Sequence, residues 1–208
     1  MDRGTATATL QTPTVSARSL GMLSRREMAE LGQLPLNVVN KAIEQEVIDV
    51  VRGPRREAAI PVSELAALIL LQRIGFPLPS DTKRDLRDRL ITFLRRRRRK
   101  PAELELSPAV RVRVDPDLLG LVEAAENYTR LRNEYIEIDP EVKGGVPVIK
   151  GTRLTASAVA ARLAGGDTLE DLTEDYPYIE PEAFRAAEIY ARAHPRRGRP
   201  PRPKPRRP

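Results

Sequence analysis

Apolar residues along this chain recur mostly at helical spacing, interrupted by short runs of strand composition. Ser24, with Glu27 three residues on, is a capping-box pair and predicts a helix from there to Leu31. Gly32-Gln33-Leu34-Pro35 is turn chemistry. Leu36, Val39 and Ile43 then fall on one face of a second helix, Leu36 to about Gln45, which leaves Asn37, Asn40, Lys41 and Glu44 outward. Val47–Val51 and Ala58–Val62 read as strands around Arg52-Gly53-Pro54-Arg55-Arg56, a turn with three arginines. Ser63 caps a helix over Glu64–Ile74, and Gly75-Phe76-Pro77-Leu78-Pro79 is a rigid linker. Ser80 caps a further helix, Asp81 to about Arg99, with Leu86, Leu90, Phe93 and Leu94 as its apolar stripe. Leu104–Leu106 and Val110–Val114 predict two short strands, and Asp115-Pro116 starts a helix running to about Asn133.

The last third has its own grammar. Tyr135–Ile138 and Val146–Ile149 flank Gly144-Gly145, the pattern of a tight hairpin. Ala156–Ala164 is a helix stopped by Gly165-Gly166. Thr168 with Asp171 caps a second that ends before Pro177, and Pro181 starts a third that ends at His194-Pro195. The string DPEVKGGVPVIKGTR, the pair Tyr176-Pro177 and the ending AAEIYARAHP resemble the domain-of-unknown-function 433 family. That resemblance implies an antitoxin-like domain with a helix-turn-helix-like helical core.

The front of the chain, in the order helix, turn, helix, hairpin, helix, resembles the winged helix of MerR-type regulators. In such a unit the second helix enters the major groove, where Asn and Lys bond base edges, and a basic hairpin tip touches phosphate or the minor groove. The DNA-contacting candidates are therefore Arg25, Arg26, Asn37, Asn40, Lys41, Arg52, Arg55 and Arg56. A helical scaffold whose outward Asn and Lys are merely solvated is the alternative. The expected fold class is mainly α with short β-hairpins (α+β): a winged helix-turn-helix, then a three-helix domain opened by a hairpin. The expected organisation is a disordered leader over residues 1–22, the DNA-binding unit over 23–75, a linker helix, short strands and helix over 76–134 that either join the two domains or build a dimer contact, the DUF433-like domain over 135–194, and a basic tail over 195–208.

Charge sharpens this division. Residues 1–100 carry 19 basic and 11 acidic residues, residues 101–194 carry 10 and 18, and residues 195–208 carry seven and none. A basic front and tail suit polyanions or an acidic protein site, and the acidic middle does not suit DNA. The six-residue basic run Arg95–Lys100 reads either as complement to a helix end or as a further phosphate contact. There are no cysteines and a single histidine, His194. Gly144–Arg153 lacks the Gly-Lys-Ser/Thr of a phosphate loop, and the carboxylates stand at caps and exposed turns. His194, before a proline at a helix end, is a capping or solvated residue. No enzyme, cofactor or metal is expected from this set. No apolar run spans a bilayer and the first residues lack the order of a secretory signal, so the expectation is a cytoplasmic protein.

The tail, Pro195–Pro208, holds six prolines and seven basic residues. It has nothing to bury and few backbone donors, so it is expected to be extended, with a low ordering cost on binding. The family resemblance implies a partner, a PIN-like ribonuclease toxin of the VapBC type. Its metal-binding carboxylates would receive Arg196, Arg197, Arg199 and Arg202 in place of the metal. The other reading of the tail is a nonspecific nucleic-acid arm. The function expected first is an antitoxin that neutralises its toxin through the tail and binds operator DNA as a homodimer to repress its own transcription. The alternative is a standalone winged-helix regulator.

Overall fold

The computed structural model describes residues 21–52, 58–74, 76–96, 100–107 and 110–195. Residues 1–20 of the leader expected over 1–22, the tip of the first hairpin with Arg55 and Arg56, Arg97 to Arg99, and the tail from Arg196 onward lie outside them, while Met22, the last residue of that expected leader, belongs to a strand. The protein is mainly helical, with short antiparallel strand pairs, as its patterning predicts.

The order is β1 (Met22–Leu23), α1 (Arg25–Leu31), α2 (Leu36–Glu44), β2 (Val51–Arg52), β3 (Ala58–Pro61), α3 (Val62–Arg73), α4 (Ser80–Leu94), β4 (Ala102–Ser107), β5 (Val110–Val114) and α5 (Pro116–Tyr135). After these come β6 (Ile136–Glu137), β7 (Val148–Ile149), α6 (Ala156–Ala164), α7 (Leu169–Asp175) and α8 (Pro181–Ala193). β3 is the central strand of a three-stranded sheet in the order β1-β3-β2, with Leu23 opposite Ile60 and Val51 opposite Ala59. β4 and β5 form a hairpin whose solvent face alternates Glu103 opposite Arg113 and Glu105 opposite Arg111, cross-strand pairs of opposite charge.

Among the described residues, two buried clusters hold the fold. The larger runs from Leu23 through Met28, Val39, Leu65, Leu86, Leu118 and Val122 to Tyr128, so residues 23–74 and 80–128 share one core. α3 is buried around most of its circumference, which explains its Leu- and Ala-rich composition without a polar stripe. It is tied to α4 by Arg87, whose Nε donates to buried Glu64 at 2.7 Å. The smaller cluster packs Val159 of α6, Leu172 of α7, and Ala183, Phe184 and Ala187 of α8.

Several local expectations are corrected. The first strand of the front hairpin starts at Val51 rather than Val47. Glu46 takes a positive φ of 54°, Val47 N–H returns to the Ala42 carbonyl, and Val47 and Ile48 enter the core outside any strand. α2 buries Val39 and Ala42 and leaves Leu36 exposed. α3 begins at Val62 behind Pro61, with Ser63 buried inside its first turn rather than capping it. α4 begins at Ser80 behind Pro79 and ends at Leu94, so Arg95 and Arg96 follow the helix rather than continue it.

β6 and β7 pair as expected, but residues 138–147 join them instead of a two-residue turn. Asp139 organises this loop. Its carboxylate accepts from Glu141 N–H at 2.9 Å, its carbonyl accepts from Gly145 N–H at 3.1 Å, and Pro140 and Pro147 bring no N–H to a longer ladder.

Candidate nucleic-acid interface and the tail junction

α1 and α2 present the first candidate site. The capping box that starts α1 is formed: Glu27 N–H donates to Ser24 Oγ at 3.2 Å, and Ser24 N–H donates to Glu27 Oε2 at 2.7 Å. Arg25 and Arg26 follow it, both exposed. Arg25 Nη1 donates to Asn40 Oδ1 at 3.4 Å, which sets the start of α1 beside the middle of α2. Asn37 and Lys41 are exposed and Asn40 half-buried on that same α2. The structure thus brings Arg25 and Asn40 together and keeps Asn37 and Lys41 on one solvent-facing helix. Arg52 is placed only by its backbone, which pairs with Ala58.

Behind this face lies a buried polar cluster that patterning did not reveal beyond its capping role. The Glu27 carboxylate, 2% exposed, accepts both its Oε1 and Oε2 bonds from Arg132 Nη1 at 2.8 Å and a third from Tyr128 OH at 2.7 Å. Arg132 Nη2 also donates to the Met22 carbonyl at 3.0 Å. Burial opposes the Glu27 charge, but Arg132 and the bonds from Ser24 and Tyr128 outweigh it and hold this carboxyl below the usual range. Burial, then the facing Glu27 charge, pushes the Tyr128 phenol far up, so it remains a donor. No signal in the sequence could pair Glu27 with residues more than a hundred positions later. A capping Glu reads as solvent-exposed by default.

α8 docks beside this cluster. Arg192 Nε donates to Glu30 Oε1 at 2.7 Å. His194, the C-cap of α8, places Nδ1 at 3.0 Å from the Tyr190 carbonyl, stacks on the Tyr190 ring at 4.3 Å, and sets Nε2 at 3.4 Å from Ser24 Oγ. A neutral ring that donates from Nδ1 accepts from the serine through Nε2. The chain therefore leaves α8, at Pro195, against the N-cap of α1. A groove of about 890 Å³ opens here, lined among others by Met22, Arg25, Arg26, Ile136, Ile138 and His194. Met22 and Ile138 are exposed apolar residues and the two arginines give the groove a basic edge. Arg196, Arg197, Arg199 and Arg202, the toxin-contacting candidates, lie outside the described residues. Among the described residues no group of three or more His, Cys, Asp or Glu side chains is placed to hold a metal ion. Among them, too, no helix is long and apolar enough to cross a membrane.

Residues 136–191, from β6 into the last turn of α8, match the family model described as "Protein of unknown function (DUF433)". This segment matches the DUF433 family. The DUF433 segment thus contains the buried residues of the small cluster and most of α8, whose Arg192, just past the match, reaches α1. An uncharacterized protein of Sinorhizobium fredii (strain NBRC 101917 / NGR234), y4eO, is 38% identical over 84 residues, 40% of this chain. The chain spans 38% of that relative's length. The X-ray crystal structure of Rv2018 from Mycobacterium tuberculosis aligns with 79% of this chain and 96% of its own, at 15% identity and a TM-score of 0.32. That likeness carries no argument about this chain.

Proposed function

We propose that the chain is an antitoxin that binds operator DNA through α1, α2 and the first hairpin and neutralises a PIN-like ribonuclease through its basic tail. The observation that carries this reading is the junction between α8 and α1. Just past the DUF433 match, α8 ends at His194 against the N-cap of the helix that presents Arg25 and Arg26, and the arginine tail follows. A front unit with exposed Arg25, Arg26, Asn37 and Lys41 has the side chains that position on phosphate and bond base edges. A tail of seven basic residues with no acidic one suits a carboxylate-lined cleft, since guanidinium pairs bidentately with carboxylates. A homodimer would let two front units read a palindromic site.

The test compares the full chain with one ending at His194. Each is co-expressed with a PIN-like ribonuclease encoded beside it, and cell growth is measured. The full chain is expected to restore growth and the shortened one to fail, with both retaining duplex binding. Growth restored by the shortened chain removes the tail from the mechanism.

A second reading has its own support. The same junction sets the root of the tail beside the DNA-facing helix, where seven cations would add phosphate contacts, as in a standalone winged-helix regulator. The salt dependence of duplex binding separates the two readings.

A further inference from the structure

A cleft of about 400 Å³ opens between α2, α3, the 76–78 segment and the start of α4. It lies away from the α8 junction and shares only α2 with the proposed DNA face. Its walls are apolar: Val38 and Ala42 of α2, Val47, Leu68 and Leu71 of α3, with Leu78 at its lip. The volume falls within the roughly 300–1,000 Å³ of small-molecule sites, which combine apolar walls with a few convergent polar groups.

The polar groups here are two lysines and two glutamines. Lys41 comes from α2, Lys83 from α4, and Gln45 and Gln72 complete the set. Lys83 is half-buried, and neither lysine has an ion-pair partner among the described residues. Of the acids beside the lining residues, Asp81 and Glu46 each face Arg84 at 3.7 Å, and Glu44 is exposed to solvent. A cation that gives up part of its hydration without a carboxylate partner favours an incoming anion, and its methylene stem extends the apolar wall. Phe76, 54% exposed, adds aromatic surface to the lining.

We infer that this cleft is a binding site for a small apolar acid, its hydrocarbon body against Leu68, Leu71 and Leu78 and its carboxylate between Lys41 and Lys83. The apolar walls suit a hydrocarbon chain better than a duplex, whose charged phosphates would have to shed their hydration to enter. The site itself needs no DNA. Its regulatory consequence rests on the function proposed above: Lys41 belongs to the same helix as Asn37 and Asn40, so an acid that holds Lys41 withdraws a cation from the DNA face.

The experiment is calorimetric titration of the full-length chain with sodium decanoate, with decanol and acetate as controls. The expected result is saturable binding of decanoate at one site per chain, weaker binding of decanol, and none of acetate. Lys83→Met is expected to weaken decanoate by about tenfold or more, the scale of a lost charge-assisted hydrogen bond. Leu78→Glu, which sets a carboxylate at the lip, is expected to abolish it, and circular dichroism confirms that each variant is folded. Lys83 is partly solvated, so its substitution leaves the core untouched even where Leu78→Glu does not fold. No saturable binding, equal binding of decanol, or an unchanged Lys83→Met overturns the site. In a parallel duplex-binding measurement, decanoate is expected to lower affinity in the wild type and not in Lys83→Met. A chain that binds decanoate but no duplex at all sinks the DNA reading and leaves the site standing. A chain whose duplex affinity ignores bound decanoate overturns the regulatory consequence alone.

Discussion

Glu27 does two jobs with one carboxylate. It closes the capping box of α1 and it is the buried anion for Arg132 and Tyr128. Removing one partner of a buried ion pair leaves the other uncompensated, which costs about 3–5 kcal/mol. Glu27→Gln is therefore expected to lose about 3 kcal/mol in urea unfolding at neutral pH. The sign of the pH dependence follows from its lowered pKa. Such a carboxyl adds stability above its unfolded pKa and loses it as pH falls through the folded value, so the gap between wild type and Glu27→Gln should close in acid. A gap that stays constant into acid would mean the charge of Glu27 is not what stabilises.

Gly21 gives a second prediction. A methyl there would stand 1.7 Å from Thr129 Oγ1 and 2.4 Å from Thr129 Cβ, and the Gly21 carbonyl accepts from Val62 N–H at 2.9 Å. Gly21→Ala is expected to cost about 3 kcal/mol by overpacking. Adding Thr129→Ala should not restore it, because the Thr129 Cβ remains in the way. A fully restored double variant in thermal unfolding would refute the clash.

Among the elements, those whose partners are local were legible. Ser24 with Glu27 and Thr168 with Asp171 are real capping boxes, Pro116 and Pro181 open their helices, and the stripe Leu86, Leu90, Phe93, Leu94 is buried as a unit. The misses arise where a nearby proline or a left-handed residue redirects the chain. Pro61 and Pro79 each move a helix start one residue ahead of the serine that looked like its cap or onto that serine itself. Glu46 turns the chain so that Val47 and Ile48, strand-like in composition, serve the core without a strand. The candidate face on α2 was legible as an outward row, but the link from Arg25 to Asn40 was not, since it joins two helices. For that row, Asn40→Ala combined with Lys41→Ala is expected to weaken binding to the operator far more than to random duplex, by about 1–3 kcal/mol per lost base contact. Equal losses on both duplexes, read by gel shift, would mean that these residues contact phosphate only.

At the scale of the molecule, the tail decides between the two functional readings. A protein that neutralises phosphates releases counterions, and its affinity falls with salt by about 0.9 in log-log slope for each phosphate engaged. If the tail serves a protein partner, removing residues 195–208 should leave the salt slope of DNA binding within about one contact of its original value. A slope reduced by several contacts favours the DNA-anchor reading. Nothing in the composition could reveal that α8 rests on α1, because Arg192 to Glu30 and His194 to Ser24 join opposite ends of the chain.

That closure also sets an order of events during synthesis. The Glu27 carboxylate must wait for Tyr128 and Arg132, the latter 105 positions later, and Ser24 must wait 170 positions for His194. At roughly 5–20 residues per second, the first helix leaves the ribosome about 5–20 s before its buried charge has a partner, and longer before α8 can cover it. The first helix is thus made well before the residues that finish it, and its vulnerability to proteases should be greatest on nascent chains that stop short of Arg132.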